Sequence, residues 1–154
     1  MKKILSFLFI VVLLGFAFKQ TPKSVNMFSF FTGDNVEFYC LSNVNVDLPN
    51  YIGTINNGKF LIVKTSANLS KIVYKKLKSV QGIAISTEKT SGQILQHFNV
   101  LVSHTEVVEN QTHIFGFSAC FDTFVFLKGK KINVHIVEQN GKIIFATPVI
   151  YTSY

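Results

Sequence analysis

Two Asn-Gly pairs, Asn57-Gly58 and Asn140-Gly141, each sit between runs of apolar and β-branched residues, Tyr51–Ile55 with Phe60–Val63 and Val134–Val137 with Ile143–Phe145. Asn-Gly readily adopts the positive φ values of a tight type I′ turn, so each pair predicts an antiparallel hairpin. From Leu101 onward, apolar residues tend to recur at every second position. Thr105–Val108 leads through Glu109-Asn110-Gln111 to Thr112–Phe117, and Phe121–Leu127 turns at Lys128-Gly129-Lys130 into Lys131–Gln139. Within that last run Ile132, Val134 and Ile136 are expected on one face, with Asn133 and His135 on the other. Pro148 ends the ladder, because proline has no N–H to give. The C-terminal third therefore reads as an antiparallel meander.

Helical spacing is confined to shorter stretches. Ser66 is placed to cap a helix in which Leu69, Ile72, Val73, Leu77 and Val80 form the apolar side until Gly82 ends it. Ile83–Ser86 then follows as a strand, so Phe60–Ser86 predicts a β-α-β unit. Ser91 is expected to cap a second, shorter helix with Ile94, Leu95 and Phe98 inward. Asn26–Asp34, with Met27-Phe28-Ser29-Phe30-Phe31, reads as a short amphipathic helix stopped by Gly33 or as a membrane-proximal aromatic stretch, a place in the core being the default, and Val36–Leu41 reads as a strand. Together these give an α+β domain over residues 25–154, two helices covering one face of a mainly antiparallel sheet. The order strand-helix-strand, helix, meander resembles small envelope modules built on a split β-α-β, a likeness of fold that implies nothing about ligand.

Ahead of this domain, Lys2 and Lys3 precede an uncharged run from Ile4 to Phe18. As a helix that run would span roughly 22 Å, short of the roughly 30 Å hydrocarbon core, which favours a cleaved export signal over a permanent span. Small residues at Gly15 and Ala17 fit cleavage, and retention as an N-terminal anchor is the alternative. Residues 1–18 are thus expected to be a signal or anchor, 19–24 a polar linker, and the rest a single domain working outside the cytoplasmic membrane of a bacterium.

Composition narrows the function classes. With 48% hydrophobic residues and 16 Phe, the chain has far too much apolar surface to stay disordered. Its net charge is +7, and all 15 basic residues are lysine. Arginine is the usual bidentate reader of guanine and phosphate, so its absence argues against sequence-specific nucleic-acid recognition. Lys71, Lys75 and Lys78 line the polar side of the first predicted helix. That is either a solvated face or a surface for anionic lipid or wall polymer.

Cys40 and Cys120 stand in apolar company. Paired in an oxidising compartment, they would close a loop of roughly 80 residues and contribute about 4 kcal/mol; left unpaired, they are buried thiols. The four histidines, His97, His104, His113 and His135, lack metal-ligand spacing, so no metal and no cofactor is expected. His104, Glu106 and His113 are expected to form a ladder on the sheet surface. Cys120 with His113 or His135, oriented by Asp122, is the one nucleophile system that the residue types allow, but no motif supports it. The leading expectation is a non-catalytic envelope domain that binds another protein. Binding of anionic membrane or wall polymer through the lysine face comes second, and a small Cys/His hydrolase third. The sequence sets no oligomeric state.

Overall fold

The computed structural model describes residues 27–41, 48 and 52–151. The expected signal and linker lie outside the described residues. Three helices, α1 (Met27–Phe30), α2 (Ala67–Lys76) and α3 (Ser91–His97), accompany ten strands. These are β1 (Asn35–Leu41), β2 (Gly53–Asn56), β3 (Phe60–Ser66), β4 (Val80–Thr87) and β5 (Leu101–Val108), then β6 (Gln111–Phe117), β7 (Val125–Leu127), β8 (Lys130–Ile132), β9 (Val134–Gln139) and β10 (Lys142–Thr147). The protein is α+β with an antiparallel sheet, as the residue pattern predicts.

Tight turns set the registers. Asn140 and Gly141 both take positive φ, 49° and 75°, and Gln139 pairs directly with Lys142, so this Asn-Gly forms the expected type I′ connection. Glu109-Asn110 and Lys128-Gly129 also adopt positive φ at both positions. At the first Asn-Gly only Gly58 does so, at 84°. Asn57 instead folds its side chain over the turn, its Oδ1 accepting from the N–H groups of Lys59 (3.1 Å) and Phe60 (2.7 Å). The hairpin forms as expected, but not through a type I′ turn, because an Asx turn satisfies Asn57 with ordinary backbone angles.

Eight strands form one sheet in the order β2-β3-β1-β4-β10-β9-β6-β5, and β7 and β8 pair separately as a ribbon. Since β3 and β4 both pair antiparallel with β1, they run parallel to each other with β1 between them, and α2 connects them as a split β-α-β. The β5-β6-β9-β10 meander joins this half through β10 against β4.

Buried residues from all three helices share one apolar cluster with Val36, Phe38, Ile85, Val134, Ile136 and Phe145 of the sheet. Three helices, not two, therefore cover this face. The opposite face carries a smaller cluster of Tyr39, Phe60, Ile62, Ala84 and Ala146, against which Ile150 and Tyr151 pack.

Several boundaries differ from expectation. α2 ends at Lys76, Leu77 is already extended, and Ser79 takes a φ of 57°, so Lys78 lies beyond the helix and Val80 opens β4. The buried side of α2 is Ala67, Ser70 and Val73. Ile72 is 60% exposed. Ser70 can face the core because its hydroxyl donates to Ser66 O (2.8 Å). Ser66 occupies the N-cap position without a side-chain cap bond. α3 is capped by Thr90, one residue before the expected Ser91. Thr90 Oγ1 accepts from Gln93 N–H and Gln93 Oε1 accepts from Thr90 N–H, a reciprocal capping box.

The run from Lys131 to Gln139 is also not one strand. Asn133, expected within the strand on the face opposite Ile132, Val134 and Ile136, is fully buried and interrupts it. Its Oδ1 accepts from Ser118 N–H (2.7 Å), and its Nδ2 donates to Ser118 O (2.7 Å) and Phe121 O (3.0 Å). Ser118 Oγ in turn donates to Phe98 O and accepts from Cys120 N–H. Alternation misassigned Asn133 because it assumes an unbroken pleat, whereas this side chain supplies hydrogen bonds to a loop that has no strand partner.

Replacing Asn133 by Ala would leave Ser118 N–H and Phe121 O unpaired, while Ser118 O keeps its bond from Phe121 N–H (3.4 Å); each unpaired group costs roughly 1–3 kcal/mol. Asn133→Ala is expected to lower the unfolding free energy by at least about 2 kcal/mol. Asn133→Asp should do no better, since a carboxylate can accept from Ser118 but faces two carbonyls with nothing to donate. Urea unfolding checks both; a loss below about 1 kcal/mol for either variant would contradict this role.

Candidate functional site

Between α1, α2 and the chain at 120–123 lies a pocket of about 550 Å³. Its apolar walls are Met27 and Phe28 of α1, Tyr74 of α2, Ile83 of β4 and Phe121. Helical periodicity brings Lys71 and Lys75 to the same side of α2, one turn apart, and both line this pocket. Lys78, beyond the helix end, does not. The lysine group expected from the sequence thus divides into two pocket residues and one that stands apart.

Cys120, Asp122 and Thr123 complete the lining. Neither Lys71 nor Lys75 has a carboxylate within ion-pair distance among the described residues. Thr147 also lines the pocket from β10, where it is paired with Ile83. It is 6% exposed, and its Oγ1 has no hydrogen-bond partner among the described residues. No sequence signal marked Thr147, because its place depends on β4 meeting β10 across a long stretch of chain.

The histidine ladder forms on the opposite side of the sheet. His104 Nε2 lies 2.9 Å from Glu106 Oε2, and Lys128 Nζ reaches the same carboxylate oxygen at 3.2 Å. These partners lower the Glu106 pKa, the His104 hydrogen bond first and that of Lys128 second. Further in, His113 Nδ1 and His135 Nε2 are 3.0 Å apart, while His135 Nδ1 accepts from Ile150 N–H at 3.3 Å. The amide must donate, so His135 carries its proton on Nε2 and donates it to His113. Phe115 stacks on His135 at 4.2 Å between ring centroids. Burial first, and the charge on His113 second, depress the His135 pKa to about 4.

Both nitrogens of His135 are therefore engaged by groups other than Cys120, whose Sγ is 3.7 Å from Phe98 O. Among the described residues no hydrogen bond joins Cys120 to His113 or His135. Cys40 and Cys120 are free thiols, the first fully buried and the second partly so. Burial pushes the Cys40 thiol above its ordinary value, which keeps it protonated. Among the described residues no group of three or more His, Cys, Asp or Glu is arranged to hold a metal ion. No described helix is long and apolar enough to cross a membrane. Comparison with protein families, with curated proteins and with solved structures finds no match.

Because His135 is neutral when folded and titrates near 6.5 when unfolded, the unfolded chain binds more protons between these values. Its contribution to stability is present above about pH 6.5 and is lost as the pH falls toward about 4, up to roughly 3 kcal/mol in all. Urea unfolding at pH 7 and pH 4.5 should show this loss, and His135→Gln should flatten the difference. A variant with the same pH dependence as the parent would show that other groups carry it.

Proposed function

We propose that this chain is a non-catalytic binding module of a bacterial cell envelope, exported by its N-terminal segment, and that it takes an anionic partner on the face formed by Lys71 and Lys75. The observation that carries this reading is the pair of lysines lining a mainly apolar pocket, neither of them ion-paired among the described residues. An ammonium without a nearby carboxylate keeps its full attraction for an incoming anion, and low-dielectric walls strengthen it. Anionic lipid and wall polymer both present such groups.

A second reading, a protein partner, is favoured by the sheet edge at β5. There Leu101 and Val107 are 73% and 71% exposed, and one side of the strand has no neighbour within the described sheet. An exposed edge of this kind accepts an added strand through its backbone, with apolar side chains supplying affinity.

One measurement separates the two: retention of the full-length chain on washed envelope fractions. Lys71→Glu with Lys75→Glu should reduce retention at least about tenfold, which corresponds to roughly 1.4 kcal/mol, whereas Lys78→Glu should leave it nearly unchanged. Unaltered retention in the double variant overturns the anionic reading. Loss only on Val107→Lys assigns retention to the β5 edge.

A further inference from the structure

We infer that the pocket between α1 and α2 binds a single-chain anionic amphiphile, an acyl chain with a carboxylate head and an oxygen along the chain. This rests on the reading that Lys71 and Lys75 form the anion-binding face, and deepens it by naming the ligand class. Three features define the occupant. The walls are hydrocarbon and aromatic: Met27, Phe28, Ile83 and Phe121, with the ring of Tyr74. A volume of about 550 Å³ falls among small-molecule sites, which run from roughly 300 to 1,000 Å³. Such walls take an alkyl chain.

The rim supplies the head contact. Lys71 and Lys75 project from successive turns of α2, and Asp122 is the single carboxylate on the wall, so the rim keeps a net positive charge. Their methylene stems extend the apolar wall while their ammonium groups stay at the water boundary, where an amphiphile's head would lie.

Thr147 supplies the third contact. Two buried hydroxyls among the described residues lack a hydrogen-bond partner, Thr65 and Thr147, and only Thr147 lies on the pocket wall. A buried hydroxyl without a partner is costly, and a purely alkyl occupant would leave it so. An oxygen on the ligand, a hydroxyl or carbonyl on the chain, satisfies it once the Thr147 side chain turns its Oγ1, otherwise closed to solvent, toward the pocket.

The sequence holds only 2 Met, Met1 and Met27, so full-length chain labelled with ¹³C at the methionine methyls carries its own reporter in the pocket. The probes are dodecanoate, 3-hydroxydodecanoate and dodecanol. Both acids should shift the Met27 methyl saturably at one per chain, with dodecanol at least about tenfold weaker. Lys71→Gln with Lys75→Gln should weaken the acids about tenfold, and Thr147→Val should weaken the hydroxy acid several-fold more than dodecanoate, with Thr147→Ser restoring it. Unfolding curves of the variants separate lost binding from lost fold. Equal binding of dodecanol, unchanged binding in the lysine variant, or a Met27 methyl that no probe moves would each overturn the inference. Loss of envelope retention in the Lys→Glu variant without any Met27 shift would overturn the ligand class alone and leave the lysine-face reading standing. Shifts produced only by phosphatidylglycerol vesicles would likewise overturn it in favour of a bilayer surface.

Discussion

The carboxamide of Asn133 is the contact on which the second half of the molecule depends. It fills a gap in the strand between β8 and β9 and ties that gap to Ser118 and Phe121. Through Ser118 Oγ the same knot reaches the carbonyl of Phe98 at the end of α3. Phe98 lies among Phe30, Phe31, Phe121 and Phe145 with centroid separations of 5.4, 5.9, 5.2 and 5.5 Å. A buried amide that meets all its partners fixes one arrangement of its neighbours, because any shift strands a polar group. Here the arrangement fixed is the course of Ser118–Phe121, and with it one wall of the pocket.

The two faces of the sheet are finished by different means. Helices bury the first. On the second, the segment after Pro148 lays Ile150 and Tyr151 over Tyr39, Phe60 and Ala146. Tyr151 fits because Gly82 has no side chain: a Cβ there would lie 2.5 Å from Tyr151 Cε2. The same segment gives the Ile150 N–H to His135, so covering this face and holding a buried imidazole neutral are one structural event.

Much of this fold is legible in the sequence where local chemistry decides. Asn140-Gly141 specifies its hairpin because both residues tolerate positive φ, and Gly33, at φ 87°, stops α1 as its freedom predicts. The end of α2 is not legible: Leu77 and Val80 continue the helical spacing of Val73, yet Val80 pairs with Cys40 as the first residue of β4. A long-range pairing outweighs a local period there, and Lys78 loses its expected place on the helix face for that reason. Lys71 and Lys75, within the helix proper, keep theirs. Thr147 and Asn133 escape sequence reading altogether, since each acquires its role only when distant segments meet.

That the pocket lies where it does follows from how the halves join. The split β-α-β and the meander share one strand pairing, β4 with β10, whose final pair is Ile83 with Thr147. Both residues line the pocket, with Tyr74 and the lysines coming from the first half and Cys120–Thr123 from the second. A ligand held there touches both halves across their only shared strand boundary in the described sheet. Anything that binds the joined state and not the separated one favours the joined state by mass action, in proportion to the logarithm of its occupancy. The junction between the halves and the site are therefore energetically one feature: loosening β10 from β4 would dismantle the site, and filling the site would hold β10 against β4.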